Sequence, residues 1–265
     1  MSKENGDEPL LSVNNVSVRF GGIVALDGVS FDVLRGEVRG LIGPNGAGKS
    51  SLFNCLSRLY RCDTGTIHFD GRVLSEQPRH RIAALGVGRT FQNVALFSSM
   101  TVRENVLIGT HAHHHAGFWR DALRLPGAAR AERAARERAD RAIELLRLQP
   151  FSERVVADLP FGTQKRVELA RALACEPSLL LLDEPACGLN HEELGGLGEL
   201  ILEIRRSLNL TILLVEHHMG LVMSVCDRIV ALNFGRKIAD GSPASVRSDP
   251  EVIRAYLGDE QGATA

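Results

Sequence analysis

The segment that decides the fold is Gly43-Pro44-Asn45-Gly46-Ala47-Gly48-Lys49-Ser50. A short apolar run, Val38 to Ile42, precedes it, and the residues that follow place Leu52 and Leu56 on one helical face. Glycines in this pattern let successive backbone N–H groups surround phosphate oxygens at a helix N-terminus. A glycine-rich turn without a ligand is the alternative. The strand before the turn and the helix after it favour a phosphate-binding loop.

Within such a loop the lysine reaches the β- and γ-phosphates, and the hydroxyl that follows it binds Mg²⁺. Here these residues are Lys49 and Ser50. The sequence therefore predicts a nucleotide bound together with Mg²⁺. The candidate nucleotide-binding residues of this loop are Gly43, Asn45, Gly46, Ala47, Gly48, Lys49, Ser50 and Ser51.

A second apolar run, Leu179 to Leu182, ends in Asp183 and Glu184 and is typical of a strand buried on both faces. Ligands of open α/β sheets lie beyond the carboxyl ends of the strands. We therefore expect Asp183 near the Mg²⁺ and Glu184 near the terminal phosphate. The alternative is a pair of acids that merely leave the core for solvent or cap a helix.

A third run, Thr211 to Val215, is followed by Glu216, His217 and His218. An imidazole at this edge of the sheet would help to position the water that attacks the γ-phosphate. Taken alone, a histidine is more often structural than catalytic. The spacing does not choose between His217 and His218.

A second glycine turn, Leu159 to Arg166, opens another amphipathic helix. Its first residues, Phe161, Gly162 and Thr163, form a second candidate anion site, because a helix N-terminus attracts negative charge. A glycine before a helix is often only a cap, so this pattern alone is weak.

The composition limits the function classes. The chain has 265 residues, 44% of them hydrophobic, and a formal net charge of −1, which argues against general binding of nucleic acid. The alanine- and arginine-rich segment 111–146 carries interleaved acids and predicts a solvated helix. No run approaches the roughly 18 apolar residues of a spanning helix. Five scattered cysteines predict a reducing, cytoplasmic compartment.

Taken in order, these motifs resemble the ATP-binding subunits of ATP-binding-cassette (ABC) transporters. The resemblance covers nearly the whole chain. Within the family, Gly188-Leu189-Asn190 after the acidic pair, the long segment before the signature turn and the ending Val252 to Gly258 resemble the LivG type, which serves branched-chain amino acid importers. The matching positions are an aromatic residue before the loop (Phe20), the phosphate loop, a glutamine loop (Thr90-Phe91-Gln92), a signature turn (Leu159 to Thr163), the acidic strand end (Asp183-Glu184) and a switch histidine (His217).

The fold that the resemblance implies is an α/β P-loop NTPase. It would have a RecA-like parallel core, an N-terminal antiparallel β-subdomain and an inserted helical subdomain at about 93–172. We expect one ATPase domain over residues 10–258, flanked by flexible tails at 1–9 and 259–265. The short alternating runs between Leu10 and Val33 agree with an N-terminal antiparallel sheet.

The resemblance also implies the chemistry. Phe20 would stack on adenine, and Ser50, Gln92 and Asp183 would hold Mg²⁺. Catalysis would fall to Glu184, His217 and Gln92, which are the predicted catalytic residues. In the family two ATP molecules lie between two subunits, each bound by one phosphate loop and by the signature turn of the other chain.

The implied partners are integral-membrane permease subunits, a second ATPase subunit in a homo- or heterodimer and, indirectly, a solute-binding protein. The expected location is the cytoplasmic face of the plasma (inner) membrane. The rival functions are a lipid or lipopolysaccharide exporter ATPase and a soluble ABC ATPase of translation or DNA repair. Three positions depart from the common family pattern: Pro160, Asn190 and His218.

Overall fold

The computed structural model describes residues 8–91, 95–113 and 126–262. The strands are β1 (Pro9–Phe20), β2 (Ile23–Leu34), β3 (Val38–Ile42), β4 (Thr64–Phe69), β5 (Arg72–Val73), β6 (Val87–Arg89), β7 (Leu179–Asp183), β8 (Thr211–Val215), β9 (Arg228–Asn233) and β10 (Arg236–Gly241). The helices are α1 (Lys49–Leu56), α2 (Val102–Gly109), α3 (Pro126–Leu145), α4 (Phe161–Leu173), α5 (His191–Leu208), α6 (Met219–Val225), α7 (Pro243–Arg247) and α8 (Pro250–Gly262).

The N-terminal sheet is antiparallel, in the order β2-β1-β4-β5, as predicted. The short runs seen in the sequence are joined into two strands of 12 residues each. The pairing of β1 with β2 shifts register between Val13 and Val16, where Asn15 adopts a left-handed φ of 49°. A bulge of this kind keeps a strand continuous across an interruption in its alternating pattern.

The second sheet has the order β10-β9-β3-β8-β7-β6, and all its pairs are parallel except β10 with β9. Strands β3, β7 and β8 are buried along their whole length. Leu41 of β3 and Asp183 of β7 both lie opposite Val215 of β8. The three strands therefore end at one edge, with the outer two about 10 Å apart.

Helices α2, α3 and α4 lie between β6 and β7 in the chain and pack against one another. Thr101 and Glu104 form a capping box at the start of α2. In the arginine-rich helix α3, Glu132 pairs with Arg136 at 2.6 Å. The i,i+4 spacing of Glu137 and Arg141 predicts a similar pair, but Arg141 instead forms an ion pair with Glu176, which lies beyond α4.

At the C-terminal end Ser242 caps α7, and Asp249 accepts N–H groups from the first turn of α8. Glycine commonly ends a helix, which predicts an end at Gly258, but α8 continues to Gly262 and so enters the predicted tail 259–265. A glycine inside a helix is costly but tolerated, and no proline follows it here. At the other end, β1 begins at Pro9, the last residue of the predicted tail 1–9.

Among the described residues, no helix combines the length and the apolar character needed to cross a membrane.

Candidate functional site

The phosphate loop lies between β3 and α1, and its backbone requires glycine at two positions. Gly43 and Gly48 have φ angles of 150° and 101°. A Cβ atom on Gly43 would lie 2.2 Å from the Leu232 carbonyl oxygen, and one on Gly48 would lie 2.4 Å from the Ala25 carbonyl oxygen. Side chains at either position would push strands β2 or β9 away from the loop.

Lys49 occupies the first position of α1 and is only 6% exposed. Its Nζ atom donates to the carbonyl oxygens of Gly43 at 2.7 Å and Pro44 at 2.9 Å. The ammonium group is therefore held inside the curve of the loop. A concentrated positive charge at a helix N-terminus is suited to phosphate.

The other loop residues are arranged around this charge. Ala47 is buried and Gly48 is half-buried, whereas Asn45, Gly46 and Ser50 are exposed. Ser50 and the half-buried Ser51 follow Lys49 in the first turn of α1. The loop thus offers exposed backbone and a hydroxyl oxygen on its outer side.

Asp183, at the end of β7, is buried beside an arginine. Its Oδ2 atom pairs with Nη2 of Arg89 at 2.9 Å, and its backbone N–H donates to the Thr90 hydroxyl at 3.3 Å. Burial raises the pKa of the Asp183 carboxyl, and the hydrogen bond and charge of Arg89 oppose that rise. One carboxylate oxygen of Asp183, Oδ2, is therefore already bonded to Arg89.

Arg89 was not singled out from the sequence, although it directly precedes Thr90. Its Nη1 atom donates to Asn54 Oδ1 and Ser57 Oγ, both at 2.9 Å. The guanidinium carbon lies 5.6 Å from the Phe53 ring centroid and 5.2 Å from that of Phe91. Arg89 therefore connects the acidic end of β7 to helix α1, which carries Lys49. An arginine at the end of a strand that pairs with β7 is the signal that could have identified it.

Glu184 and His217 meet at the carboxyl ends of β7 and β8. Nε2 of His217 lies 2.7 Å from Oε1 of Glu184, whose backbone has a left-handed φ of 47°. By contrast, His218 caps α6, with its Nδ1 atom accepting the Leu221 N–H at 3.2 Å. The structure thus distinguishes the two histidines, and His217 is the one beside the acid.

Glu216 is a second residue that the sequence reasoning passed over. Its side chain is buried, Oε1 accepts the Ala186 N–H at 2.6 Å and Oε2 accepts the His217 N–H at 3.0 Å. It thereby ties together the backbone that follows β7 and β8. A charged residue directly after a buried strand was the available signal.

Replacing His217 by alanine is expected to lower kcat by about tenfold, with little change in ATP affinity, because the imidazole contacts Glu184 rather than the loop. His218→Ala is the matched control. It removes a cap from a short helix, costing about 1 kcal/mol of stability, and should keep kcat within about twofold of the parent. Phosphate release and thermal unfolding measure the two effects. Equal losses of kcat in both variants would contradict the distinction.

The signature turn begins α4, with Pro160 as the N-cap residue. Thr163 is buried, and its N–H donates to the Pro160 carbonyl at 2.9 Å. Phe161 is exposed, and its ring lies against Gly188, where a Cβ would come within 2.7 Å of it. A Cβ on Gly162 would lie 2.5 Å from Glu193 Oε1. The turn therefore packs on the segment between β7 and α5 and on the first turn of α5.

Replacing Pro160 by serine is expected to change steady-state ATPase activity by less than about threefold, because the backbone and the dipole of α4 remain in place. Gly162→Asp should nearly abolish activity, since it places a carboxylate beside Glu193 and at the helix N-terminus where we expect phosphate to approach. Both variants should still bind ATP as monomers. A tenfold gain for Pro160→Ser, or full activity of Gly162→Asp in a phosphate-release assay, would contradict this account.

Phe20, at the end of β1, is 44% exposed, and its ring meets the Tyr60 ring edge-on with centroids 5.0 Å apart. An exposed aromatic ring of this kind can stack on a planar base. Gln92, the remaining predicted site residue, lies outside the described residues. Its neighbour Phe91 is described, and the Phe91 N–H donates to the buried Glu168 of α4 at 3.0 Å.

Comparison with known protein families decides the identity. The family model described as ABC transporter matches residues 26–187, which include the phosphate loop, the signature turn and the acidic strand end. The chain belongs to the ABC transporter family. A second model, described as a branched-chain amino acid ATP-binding cassette transporter, matches residues 236–261. This ABC ATPase therefore has the α/β P-loop fold that was predicted.

Individual relatives extend over nearly the whole chain. This ABC ATPase is 45% identical to the high-affinity branched-chain amino acid transport ATP-binding protein BraF of Pseudomonas aeruginosa, over 95% of this chain and 98% of that protein. It is 45% identical to LivG of Escherichia coli K12, over 95% and 99%. The crystal structure of the ABC transporter cassette MJ1267 in its ADP conformation is 30% identical, with a TM-score of 0.82 over 95% and 99%.

Proposed function

We propose that this ABC ATPase is the ATP-binding and ATP-hydrolysing subunit of a membrane importer for branched-chain or related amino acids. The observation that carries the proposal is the 45% identity to BraF and LivG over nearly the full length of both relatives. The C-terminal match at residues 236–261 supports the same substrate class.

In the proposed mechanism, Lys49 and the amides of the loop hold the phosphates of ATP, and Phe20 stacks on adenine. The signature turn of the second subunit, through Phe161, Gly162 and Thr163, approaches the γ-phosphate. Because the Thr163 N–H already donates to Pro160, the helix dipole of α4 supplies much of this attraction.

Glu184 acts on the attacking water in this scheme. Its carboxylate lies at the carboxyl end of β7 and is oriented by His217 at 2.7 Å. A carboxylate fixed in this way polarises the water towards the γ-phosphate. His217 holds Glu184 in place by donating one hydrogen bond from its Nε2–H to the Glu184 carboxylate, which requires the tautomer protonated at Nε2.

The residues present fit Mg²⁺. Ser50 and Asp183 offer hydroxyl and carboxylate oxygens, the hard donors that Mg²⁺ prefers, and Gln92 would add an amide oxygen. No group of three or more histidine, cysteine or acidic side chains that could bind a metal occurs among the described residues. Because Arg89 already pairs with Asp183, we infer that this carboxylate acts through a water. Mg²⁺ bound there would neutralise charge on the β- and γ-phosphates.

We further propose a dimer with a second ATPase subunit, identical or related, docked on permease subunits at the cytoplasmic face of the inner membrane. A solute-binding protein would act indirectly, and no nucleic acid would take part. The proposed domain spans residues 10–258, with its helical subdomain at about 93–172. Helices α2, α3 and α4 of that region pack mainly on one another, which supports this division.

Purification of the tagged chain from gently solubilised membranes, followed by mass spectrometry, tests the proposal. We expect integral-membrane permeases and a second ATPase in stoichiometric amounts, and none of them in a mock purification from untagged cells. Recovery with lipid or lipopolysaccharide export proteins, or with ribosomal or DNA-repair proteins alone, would contradict it.

A further inference from the structure

The C-terminal helix α8 touches the phosphate loop through one hydroxyl group. The backbone N–H of Gly43 donates to the phenol oxygen of Tyr256 at 2.8 Å. Gly43 is the first residue of the loop, and Tyr256 lies 213 positions further along the chain. Helix α8 also packs on β10 and α7, so the phenol is presented from a fixed support.

The Gly43 N–H needs this acceptor because it is buried in the protein. Gly43 is buried, and a Cβ there would meet the Leu232 carbonyl oxygen at 2.2 Å and Ala47 Cβ at 3.0 Å. A buried N–H without an acceptor carries a substantial free-energy cost. Burial raises the pKa of the Tyr256 phenol, which therefore stays protonated and neutral at physiological pH.

The contact also fixes which amides can face a phosphate. The Gly43 N–H points to Tyr256, so the loop must use amides further along, from Asn45 onward, for the nucleotide. Lys49 Nζ bonds to the Gly43 carbonyl oxygen at 2.7 Å. The two peptide groups of Gly43 are thus held from both sides, by Tyr256 and by Lys49.

We propose that Tyr256 is a positioning residue of the ATP site, which sets the conformation of the loop entrance from the C-terminal helix and thereby tunes ATP affinity. The inference rests on the proposed placement of the nucleotide in this loop. It assigns to the C-terminal segment an indirect part in nucleotide binding, through the backbone of Gly43. Tyr256 acts through Gly43 and has no contact with the reacting atoms.

Tyr256→Phe removes only the hydroxyl and keeps the ring in place. We expect KM for ATP to rise about fivefold, with kcat within about twofold, because the altered loop binds the ground state and transition state less well by the same amount. The matched control is Ile253→Ala on the same helix, where the side chain is 44% exposed. This control should leave both constants unchanged.

A spectroscopic readout separates positioning from simple packing. In protein labelled with ¹⁵N-glycine, the Gly43 amide resonance should shift in Tyr256→Phe and stay in place in Ile253→Ala. An unchanged KM, an unmoved Gly43 resonance, or a fall in kcat shared by both variants would overturn the proposal.

The placement of the nucleotide is tested separately with Lys49→Ala. If that variant bound ATP like the parent while the Gly43 resonance still responded to Tyr256→Phe, the nucleotide assignment would fail and the contact itself would stand. If Lys49→Ala lost ATP binding while Tyr256→Phe had a normal KM, only the role of Tyr256 would be rejected.

Discussion

Replacing Glu184 by glutamine is expected to lower ATP turnover on the order of a hundredfold or more, with ATP affinity preserved. The reason is geometric. Glu184 follows β7 and contacts His217 at 2.7 Å, whereas Lys49 lies in the proposed phosphate-binding loop after β3. Glutamine keeps the shape of the side chain and removes the charge that polarises water. Steady-state phosphate release and binding of labelled ATP measure the two quantities.

A second measurement and a control variant make the test of Glu184 more specific. Because hydrolysis would reopen the dimer, Glu184→Gln protein should accumulate as an ATP-stable dimer on size-exclusion chromatography. Glu192→Gln changes an exposed acid in the first turn of α5 and should keep turnover within about twofold. Near-normal phosphate release by Glu184→Gln would rule out the proposed role of Glu184.

Replacing Lys49 by alanine is expected to weaken binding of Mg-ATP by at least about thirtyfold. The substitution removes the buried ammonium of the loop, and truncating one partner of a buried charge pair costs about 2–5 kcal/mol. Unlike Glu184→Gln, this variant should fail at the binding step. Equilibrium titration with a fluorescent ATP analogue measures the change.

The comparison variants for Lys49 are Phe20→Ala and Lys237→Ala. Loss of stacking on Phe20 should cost about 1–3 kcal/mol, a smaller effect than that of Lys49. Lys237 pairs with Asp240 on β10, and its removal should leave ATP binding unchanged. ATP binding by Lys49→Ala as tight as that of the parent would show that the phosphate-loop assignment is wrong.

The parts of the site that the sequence predicted are those with a local signal. Gly43 and Gly48 mark a backbone that no other residue can adopt, and the apolar run before Asp183 marks a buried strand. The carboxyl ends of such strands meet at one edge, so the pairing of Asp183 and Leu41 with Val215 follows from general rules of α/β sheets.

The remaining parts depend on contacts between distant segments. Arg89 reaches both Asp183 and Asn54, and Tyr256 reaches Gly43 across most of the chain. Spacing alone did not distinguish His217 from His218; the family resemblance named His217, and the backbone direction after β8 places it beside Glu184. The hydrophobic pattern of the sequence does not predict such contacts, because each depends on how distant elements are aligned with one another. The continuous strand β1 was missed for a related reason: the left-handed residue Asn15 interrupts its alternation.

The most direct test of the proposed function is ATP-driven uptake of radiolabelled leucine by membrane vesicles that contain the purified importer, with ATP supplied on the side of the ATPase. We expect uptake that depends on ATP, is competed by isoleucine and valine, and falls to background when Glu184→Gln protein replaces the parent. Uptake that persists with Glu184→Gln would contradict the proposed function. ATP-dependent movement of lipid without uptake of amino acid would also contradict it.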